Sequence, residues 1–382
     1  MHEHKQNQCK RKVKHRKNVM RLIIFCITVG IAFMFIYYQN LRKEISARQK
    51  WLETVLTGEK KWILENQGPE GEIYMNGSKA GDVNPYFACI AALGLLAETK
   101  NCPMTETEKI AVGRYLDWHT GILLETDGKM GIYRKESGKL TYKEKADSED
   151  GYLGMYLFLM GKYLEKTEST DLPEYWKKGI SLALKKIQSL MQDGITQVSE
   201  ENTTAYLMDN LEVWKGLYGL ELAGLKDTQA ISEMRKKLQK QIEKIFWDDT
   251  NQRWRIIGNS DLYHQAEFYP DGVAQIYPLI YEFPVKEKKK QKILYDQFTE
   301  KFQWQKLNKK RNGFLWAMTG MAAAQMGDIN NLVELIGNYE AEYCENRKYP
   351  LYTGEAGWIC MECGKLYGLY ERKIKTGFIL CA

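Results

Sequence analysis

The stretch "YFACIAALGLLA", Tyr86–Ala97, is apolar or small at almost every position and carries no charge. A helix that is apolar all round must be enclosed by other elements, whereas a helix with one polar face is solvated on that face. The stretch "LWAMTGMAAAQM", Leu315–Met326, has the same enclosed character. Other segments are rich in charge, such as "WKKGISLALKKIQ", Trp176–Gln188, and "AISEMRKKLQKQIEKI", Ala230–Ile245. The sequence therefore predicts two kinds of helix, one inside the fold and one at its surface.

Helical periodicity continues along most of the chain, and strand-like alternation is rare. We predict helices near residues 45–66, 85–99, 105–120, 148–166, 173–193, 204–225, 228–247, 266–282, 286–303, 313–326, 329–343 and 355–371. Connections after the even-numbered helices are mostly short, whereas those after the odd-numbered helices are long and rich in glycine, aromatic and polar residues. The connection at residues 125–150 is predicted to contain a small β-hairpin.

Six helical hairpins with apolar even-numbered members predict an all-α fold, an (α/α)6 toroid. The even-numbered helices form the inner wall and the odd-numbered helices the outer one. In a closed ring all the long loops lie on one rim and all the short turns on the other. Because binding groups tend to lie on loops held by a rigid scaffold, function is expected at the long-loop rim.

The N-terminal segment predicts a membrane anchor. Residues 1–21 hold eight Lys or Arg and one acid, which accounts for the whole net charge of +6, so a basic body that binds nucleic acid is not supported. Residues 22–38 are uncharged, at the short end of a membrane-spanning helix. No small residues follow that would suit signal-peptide cleavage. We predict a cytoplasmic tail (1–21), a transmembrane anchor (22–38), a linker (39–48) and a barrel ectodomain (49–382) outside the cytoplasm.

Cysteine and histidine usage gives little support for a metal site. Six of the eight cysteines lie beyond the anchor, and "CMEC", Cys360–Cys363, is the one CxxC pair. The two histidines beyond the anchor are His119 and His264, and His119 has the pattern of a core residue. We therefore predict buried or disulfide-bonded cysteines, no metal and no cofactor.

Polar and aromatic residues gather where each predicted inner helix begins. The six starts are "GDVNPYF", "ADSEDGY", "TTAYLMDNLEVW", "HQAEFYPDGVAQ", "RNGFLWA" and "YTGEAGW". Aromatic faces stack on sugar rings, acids and amides hydrogen-bond sugar hydroxyls, and two carboxylates perform the acid/base work of glycosidic cleavage. This mixture on one rim indicates sugar recognition.

A structural role competes with the functional one at each position. Acids in a first helical turn, such as Asp82 and Asp147, also stabilise the helix dipole. Asp209 and Glu212 lie inside their helix and share one face. Because an unpaired buried charge is costly, Asp209 needs either a partner such as Arg311 or a function.

Five motifs resemble the six-hairpin glycosidase-like superfamily over about residues 50–372. They are "DVNPYFACIAALGLL", "DSEDGYLGMYL", "YLMDNLEVWKGL", "FYPDGVAQIYPL" and "GEAGWI". The closest likeness is to poorly characterised bacterial exported or membrane-anchored members, distantly similar to glycoside hydrolase family 8. The resemblance implies an (α/α)6 barrel and a carbohydrate substrate. Family 8 pairs a glutamate acid near inner helix 2 with an aspartate base, and uses another aspartate at the start of inner helix 4. Here helix 2 offers Asp82, with Glu72 upstream.

We interpret the chain as a membrane-anchored extracytoplasmic glycoside hydrolase that acts on a polysaccharide or oligosaccharide. The alternatives are a non-catalytic glycan-binding or polysaccharide-assembly protein, a polysaccharide lyase, and a helical-repeat protein without a sugar site. The predicted catalytic pair is Asp82 and Asp150, with Asp147, Asp209 and Asp271 as substitutes. The predicted substrate-binding residues are Tyr86, Trp118, Tyr152, Asn210, Glu212, Trp214, Tyr269, Trp316, Glu355 and Trp358.

Overall fold

The computed structural model describes residues 2–77, 81–136, 139–169, 171–225, 228–258, 267–307 and 313–381. The chain divides into two compact units, one of residues 53–366 and one of residues 1–52 with 367–382. The larger unit contains the predicted barrel and the candidate site.

Twelve α-helices occur among the described residues, as predicted. Their bounds are α1 His2–Glu65, α2 Pro85–Leu95, α3 Glu106–Glu125, α4 Glu149–Thr167, α5 Glu174–Ser189, α6 Leu207–Leu222, α7 Thr228–Phe246, α8 Val273–Ile280, α9 Lys288–Phe302, α10 Thr319–Met326, α11 Ile329–Tyr339 and α12 Thr353–Cys381. A π-helical turn, Phe268–Gly272, leads into α8, and another, Glu340–Cys344, follows α11.

Short strands occur in the long loops. Their bounds are β1 Asp82–Val83, β2 Gly131–Glu136, β3 Lys139–Lys145, β4 Met191–Gln192, β5 Ile195–Thr196, β6 Trp247–Asp248 and β7 Arg253–Trp254. The antiparallel pair β2–β3 is the predicted hairpin, and β1 adds to it by pairing with β2. This small sheet leads directly into α4 and so fixes how that helix begins.

The inner helices pack at very short distances, which glycine permits. A Cβ on Gly154 of α4 would lie 2.7 Å from the Glu212 backbone in α6. A Cβ on Gly94 of α2 would lie 2.5 Å from the Cα of Gly357 in α12. Helix α8 packs on both α6 and α10, and α10 packs on α12 near Glu362. Since the first and last inner helices touch, the ring of even-numbered helices is closed, as predicted.

The odd-numbered helices form the outer wall. In α7 the buried residues are Ile231, Leu238, Ile242 and Phe246, which form a single stripe. The part of α1 in the larger unit also belongs to this wall. Its Lys60 Nζ lies 3.0 Å from Glu108 Oε2 of α3. These contacts confirm that the charged helices lie outside the apolar ones.

The N-terminal part of α1 contains the predicted anchor segment. A stretch within residues 18–65 is long and apolar enough to cross a membrane, and its most apolar window is not buried by other residues of the chain. Length and composition confirm this much, and a signal sequence has the same character. Helix α1 runs without interruption through residues 39–48, the predicted linker. The anchor, its orientation and the predicted domain boundaries stay predictions.

Candidate active site

A cavity of about 680 Å³ lies at the long-loop end of the barrel. The beginnings of the inner helices and the β2–β3 hairpin form its wall. Predicted site residues that line it are Asp82, Asp147, Asp209, Tyr86, Tyr152, Glu212, Tyr269, Trp316, Glu355 and Trp358. The barrel thus brings together residues that are up to 276 positions apart, from Asp82 to Trp358.

Two predicted site residues lie behind the cavity wall instead. Asp150 is completely buried, and its carboxylate accepts hydrogen bonds from Ser148 Oγ, Thr196 Oγ1 and the Gly151 N–H. Asn210 is also completely buried and holds the backbone of Thr196 from both sides. Neither side chain belongs to the cavity lining, because each turns toward the β4–β5 loop.

Three further predicted residues are also outside the lining. Asp271 is buried in the turn before α8. Trp118 packs on Tyr115 in the same helix, and Trp214 stacks on Tyr218 with ring centroids 5.4 Å apart. These side chains fill space between helices, as core residues do. In the sequence, Trp118 and Trp214 lie in helical segments like those of the aromatic residues that face the cavity. The sequence pattern therefore could not separate the two groups.

Two other residues discussed in the sequence analysis, His119 and Glu72, have contacts typical of a protein core. His119 is buried, its Nδ1 lies 3.1 Å from the Tyr115 hydroxyl, and burial lowers its pKa to about 3. Its interpretation as a core residue agrees with these contacts. Glu72 is buried and accepts a hydrogen bond from Tyr74 Oη at 2.8 Å. His264 and Arg311 lie outside the described residues.

Asp82 lies at the cavity wall with two cations. Arg134 donates from Nε at 2.6 Å and from Nη2 at 3.1 Å, and Lys143 donates from Nζ at 2.8 Å. The hydrogen bond from Arg134, supported by Lys143, lowers the pKa of Asp82. The pairing of β1 with β2 sets Asp82 directly opposite Arg134. These contacts favour a permanently ionised carboxylate and do not suit a proton donor.

Glu212 is surrounded by three tyrosines. Its Oε1 accepts hydrogen bonds from Tyr86 Oη at 2.5 Å, Tyr277 Oη at 2.6 Å and Tyr281 Oη at 3.3 Å. Burial raises the pKa of Glu212 to about 7, although these hydrogen bonds act in the opposite direction. Tyr277 and Tyr281 were not predicted. Their spacing of four residues on an inner helix is the signal that could have identified them.

Asp209 is half-buried at the cavity wall, close to other acids. Burial, followed by the charges of Asp150 and Glu212, raises its pKa well above the ordinary value. Gly151 leaves the room for this arrangement. A Cβ there would lie 2.6 Å from Glu212 Oε2, 2.8 Å from Ser148 Oγ and 3.5 Å from Asp209 Oδ1. The two carboxyl groups therefore face one small space, as their i, i+3 spacing indicated.

Asp147 lies at the mouth of the same cavity and is exposed to solvent. Burial, and then the negative charge of Asp147, raise the pKa of the Tyr152 hydroxyl, and Asn84 lines the same part of the cavity. Asn84 in turn caps α2, since its Oδ1 accepts from the Tyr86 N–H at 2.9 Å. An accessible carboxylate thus lies at the opening and a proton-retaining one, Asp209, deeper in the wall.

Glu355 fixes the aromatic part of the wall. Its carboxylate accepts the backbone N–H groups of Leu315, Trp316 and Ala317 at 2.9–3.1 Å. Trp316 has a φ of 59°, a conformation that is costly for a bulky residue and needs such support. The Trp316 ring lies 4.8 Å from that of Tyr269, centroid to centroid. Glu355 therefore orients an aromatic surface that faces the cavity.

The carboxyl group of Glu362 is completely buried where α12 packs on α10, so its ionisation should affect the stability of the fold. Burial, and then the charge of Glu355, raise its pKa well above 4.5, and the opposing effect of the Met321 N–H is smaller. Glu362 therefore contributes stability that is fully present below the unfolded pKa and is lost as the pH rises through the folded pKa. We expect Glu362→Gln to unfold like the wild type near pH 4 and to gain about 1–3 kcal/mol near pH 8 in urea titrations. Equal unfolding free energies at both pH values would contradict this.

Comparison with known proteins identifies the fold. A solved glycosidase structure matches with a TM-score of 0.59 and 13% identity, covering 85% of this chain and 99% of that chain. A glycosidase in complex with glucose matches with a TM-score of 0.60 and 12% identity, over the same shares. The fold is the six-hairpin (α/α)6 barrel of these glycosidases. A D-mannose isomerase matches with a TM-score of 0.55 and 12% identity, covering 83% of this chain and 97% of that chain.

These likenesses establish the architecture and leave the reaction to the site. No protein-family model and no curated protein matches the sequence. Because a glycosidase and an isomerase share the barrel, the fold by itself does not determine the chemistry.

Proposed function

We propose that this protein is a glycoside hydrolase that cleaves a polysaccharide in the cavity at the long-loop end of its barrel. The observation that carries the proposal is the lining of that cavity, where carboxylates and aromatic rings face one space. Pairs of carboxyl groups whose surroundings separate their pKa values are typical of glycosidic cleavage. The glycosidase fold is consistent with this chemistry.

Asp209 is proposed as the proton donor. Its raised pKa keeps the proton in place until the glycosidic oxygen accepts it. Glu212 also has a raised pKa, but its Oε1 is occupied by three tyrosine hydroxyls and the residue is 2% exposed. We therefore assign Glu212 to the support of Asp209 and of the tyrosine cluster.

Asp147 is proposed as the base. It lies at the solvent-exposed mouth, where its carboxylate can accept the proton of a water that attacks the anomeric carbon. The bond from the anomeric carbon to the leaving oxygen breaks as the bond to the water oxygen forms. The leaving oxygen takes its proton from Asp209. We thus assign the catalytic roles first predicted for Asp82 and Asp150 to Asp209 and Asp147, which the sequence analysis named as substitutes.

The sugar-binding surface is proposed to include the paired rings of Trp316 and Tyr269. Tyr269 is 38% exposed, so its face is available for stacking on a pyranose. Asp82, held ionised by two cations, is a fixed hydrogen-bond acceptor for sugar hydroxyls. We further propose that residues 22–38 cross the membrane with residues 1–21 in the cytoplasm, which puts the barrel outside.

The test is a screen of the full chain, purified in detergent, against neutral, amino-sugar and uronate polysaccharides. The release of reducing ends is measured for the wild type and for Asp209→Asn. Cleavage of one class by the wild type and its loss in the variant supports the proposal. Binding without cleavage in both proteins would favour the non-catalytic glycan-binding alternative, and an unsaturated product would favour a lyase. If no polysaccharide binds, the proposal is wrong.

A further inference from the structure

Aromatic side chains form a continuous row that begins in the cavity and ends outside it. The members of this aromatic row are, in order, Tyr269, Trp316, Phe314, Tyr352 and Tyr349. The ring centroids of successive members are 4.8, 6.0, 5.6 and 6.1 Å apart. The first three members line the cavity, whereas Tyr352 and Tyr349 do not. The aromatic row therefore leads from the proposed sugar site to the surface beside it.

The outermost member, Tyr349, is unusually exposed. With 70% of its surface accessible, it is the most exposed large hydrophobic side chain among the described residues. Single apolar side chains on a surface are normal, whereas connected apolar surface of this kind marks a binding site. Packing within the loops accounts for Phe314, whose ring stacks on that of Phe87 at 5.5 Å. It does not account for Tyr349, because most of that side chain remains in water.

The barrel holds the aromatic row in place. Phe87 of α2 lies under Phe314, with the two rings 21° from parallel, and its ring is 6.2 Å from that of Tyr352. Tyr352 directly precedes α12. The next residue, Thr353, donates its backbone N–H to the Met75 carbonyl at 2.8 Å. A surface that is already held in this way can bind a ligand without a large loss of conformational entropy.

A second exposed tyrosine provides a comparison away from the cavity. Tyr142 of β3 is 59% exposed, and its ring lies 6.1 Å from that of Tyr133 at an interplanar angle of 82°. Tyr349 has the same distance and angle to Tyr352. The ring contacts of Tyr133 continue to Trp118, which does not line the cavity. The local geometry is therefore shared, and what distinguishes Tyr349 is its connection to the cavity.

We propose that the aromatic row binds a polysaccharide chain longer than the cavity, with the sugar residues outside the cavity lying on Tyr352 and Tyr349. The apolar faces of pyranose rings stack on aromatic rings, while the sugar hydroxyls stay in water. Continuity with the cavity favours a single chain that occupies both over a separate protein partner. The proposal rests on the cavity being the sugar site of the proposed hydrolysis. It means that long chains bind more tightly than short ones.

The experiment compares short and long oligosaccharides by titration calorimetry. The full chain carries Asp209→Asn to prevent cleavage and is kept in a detergent without a sugar head group. The probes are the disaccharides and hexasaccharides of β-1,4-linked glucose, glucosamine and mannuronate. We expect a hexasaccharide to bind, and Tyr349→Ala to weaken its binding by about 3–10-fold. The affinity for the matching disaccharide, which the cavity alone can hold, should not change, and this also shows that the variant is folded.

Two control variants separate the ring from other effects. Tyr349→Phe keeps the ring and should bind the hexasaccharide like the parent chain. Tyr142→Ala removes the comparison tyrosine and should leave both affinities unchanged. The proposal is wrong if Tyr349→Ala leaves the hexasaccharide affinity unchanged, or if it weakens the disaccharide and the hexasaccharide equally. It is also wrong if none of the hexasaccharides binds.

The outcome for the aromatic row is separate from the outcome for hydrolysis, because only binding is measured. Hexasaccharide binding that depends on Tyr349, in a protein whose wild type cleaves no polysaccharide, would support the aromatic row and contradict the proposed hydrolysis. Cleavage by the wild type, together with hexasaccharide binding that Tyr349→Ala does not weaken, would support hydrolysis and overturn the role of the aromatic row.

Discussion

Replacement of Asp147 by alanine is expected to lower kcat for polysaccharide hydrolysis by about 10²–10⁴-fold, the usual contribution of a positioned acid or base. The residue is exposed at the cavity mouth and is not part of the buried core, so the fold should persist. Added azide or formate should restore part of the rate, because a small anion fits the space that the carboxylate leaves. Initial rates with the substrate identified by the screen, with and without the anion, measure both effects.

Glu144→Ala is the matched control for this prediction. Glu144 also lines the cavity and is exposed, but it extends from the hairpin, where its carboxylate lies 3.4 Å from Lys143 Nζ. Its removal should leave kcat close to the wild-type value and gain nothing from azide. A similar loss of rate in both variants would mean that the acidity of the mouth matters and that Asp147 has no specific role as base.

The second large effect is expected at the ion pair between α1 and α3. Lys60 and Glu108 are both buried, with 2% and 9% of their side chains exposed, and Nζ lies 3.0 Å from Oε2. Lys60→Met keeps the apolar stem and leaves the Glu108 carboxylate buried without its cation. Such a loss costs about 3–5 kcal/mol of unfolding free energy. Urea titration of the full chain in detergent, at neutral pH, measures it.

The double variant Lys60→Met with Glu108→Gln separates charge from packing. Glu108 also closes the capping box of α3, where its Oε2 accepts the Thr105 N–H at 2.8 Å, and glutamine can keep that bond. The double variant should recover most of the lost stability, because a buried pair without charges is far less costly than a buried single charge. If the double variant is no more stable than Lys60→Met, the loss came from packing.

The carboxyl groups on the two sides of the cavity differ in their protonation. On the hairpin side, Arg134 and Lys143 hold Asp82 ionised. On the helix side, burial and neighbouring acids hold the protons of Asp209 and Glu212. Such a cavity can accept hydrogen bonds from sugar hydroxyls on its ionised side and can donate a proton from its protonated side near neutral pH. The barrel produces this division because the hairpin belongs to a long loop, whereas Asp209 and Glu212 belong to an enclosed inner helix.

The resemblance to family 8 predicted an acid near helix 2, and the assignment that we propose differs from it. Asp82 occupies that place, but its two cations favour the charged form. Arg134 and Lys143 are 52 and 61 residues away in sequence, and nothing in the motif "DVNPYF" indicates their presence. A motif places a residue on an element, whereas its protonation depends on side chains that other elements bring to it.

Sequence alone determined the architecture of this protein. Apolar stretches such as Tyr86–Ala97 can be enclosed completely, whereas charged stretches such as Ala230–Ile245 must keep one face in contact with water. That difference separates the inner helices from the outer ones. The alternation of inner and outer helices, with long connections on one side, also predicted that the acids and aromatic rings lie on one rim. The tertiary structure decided which acids meet, and how. Asp150 and Asp209 are both aspartates in the first turn of an inner helix. Asp150 nevertheless lies behind the cavity wall, whereas Asp209 lines the cavity. Burial, donors and neighbouring charges determine the role of a carboxylate, and all three arise only when distant segments pack.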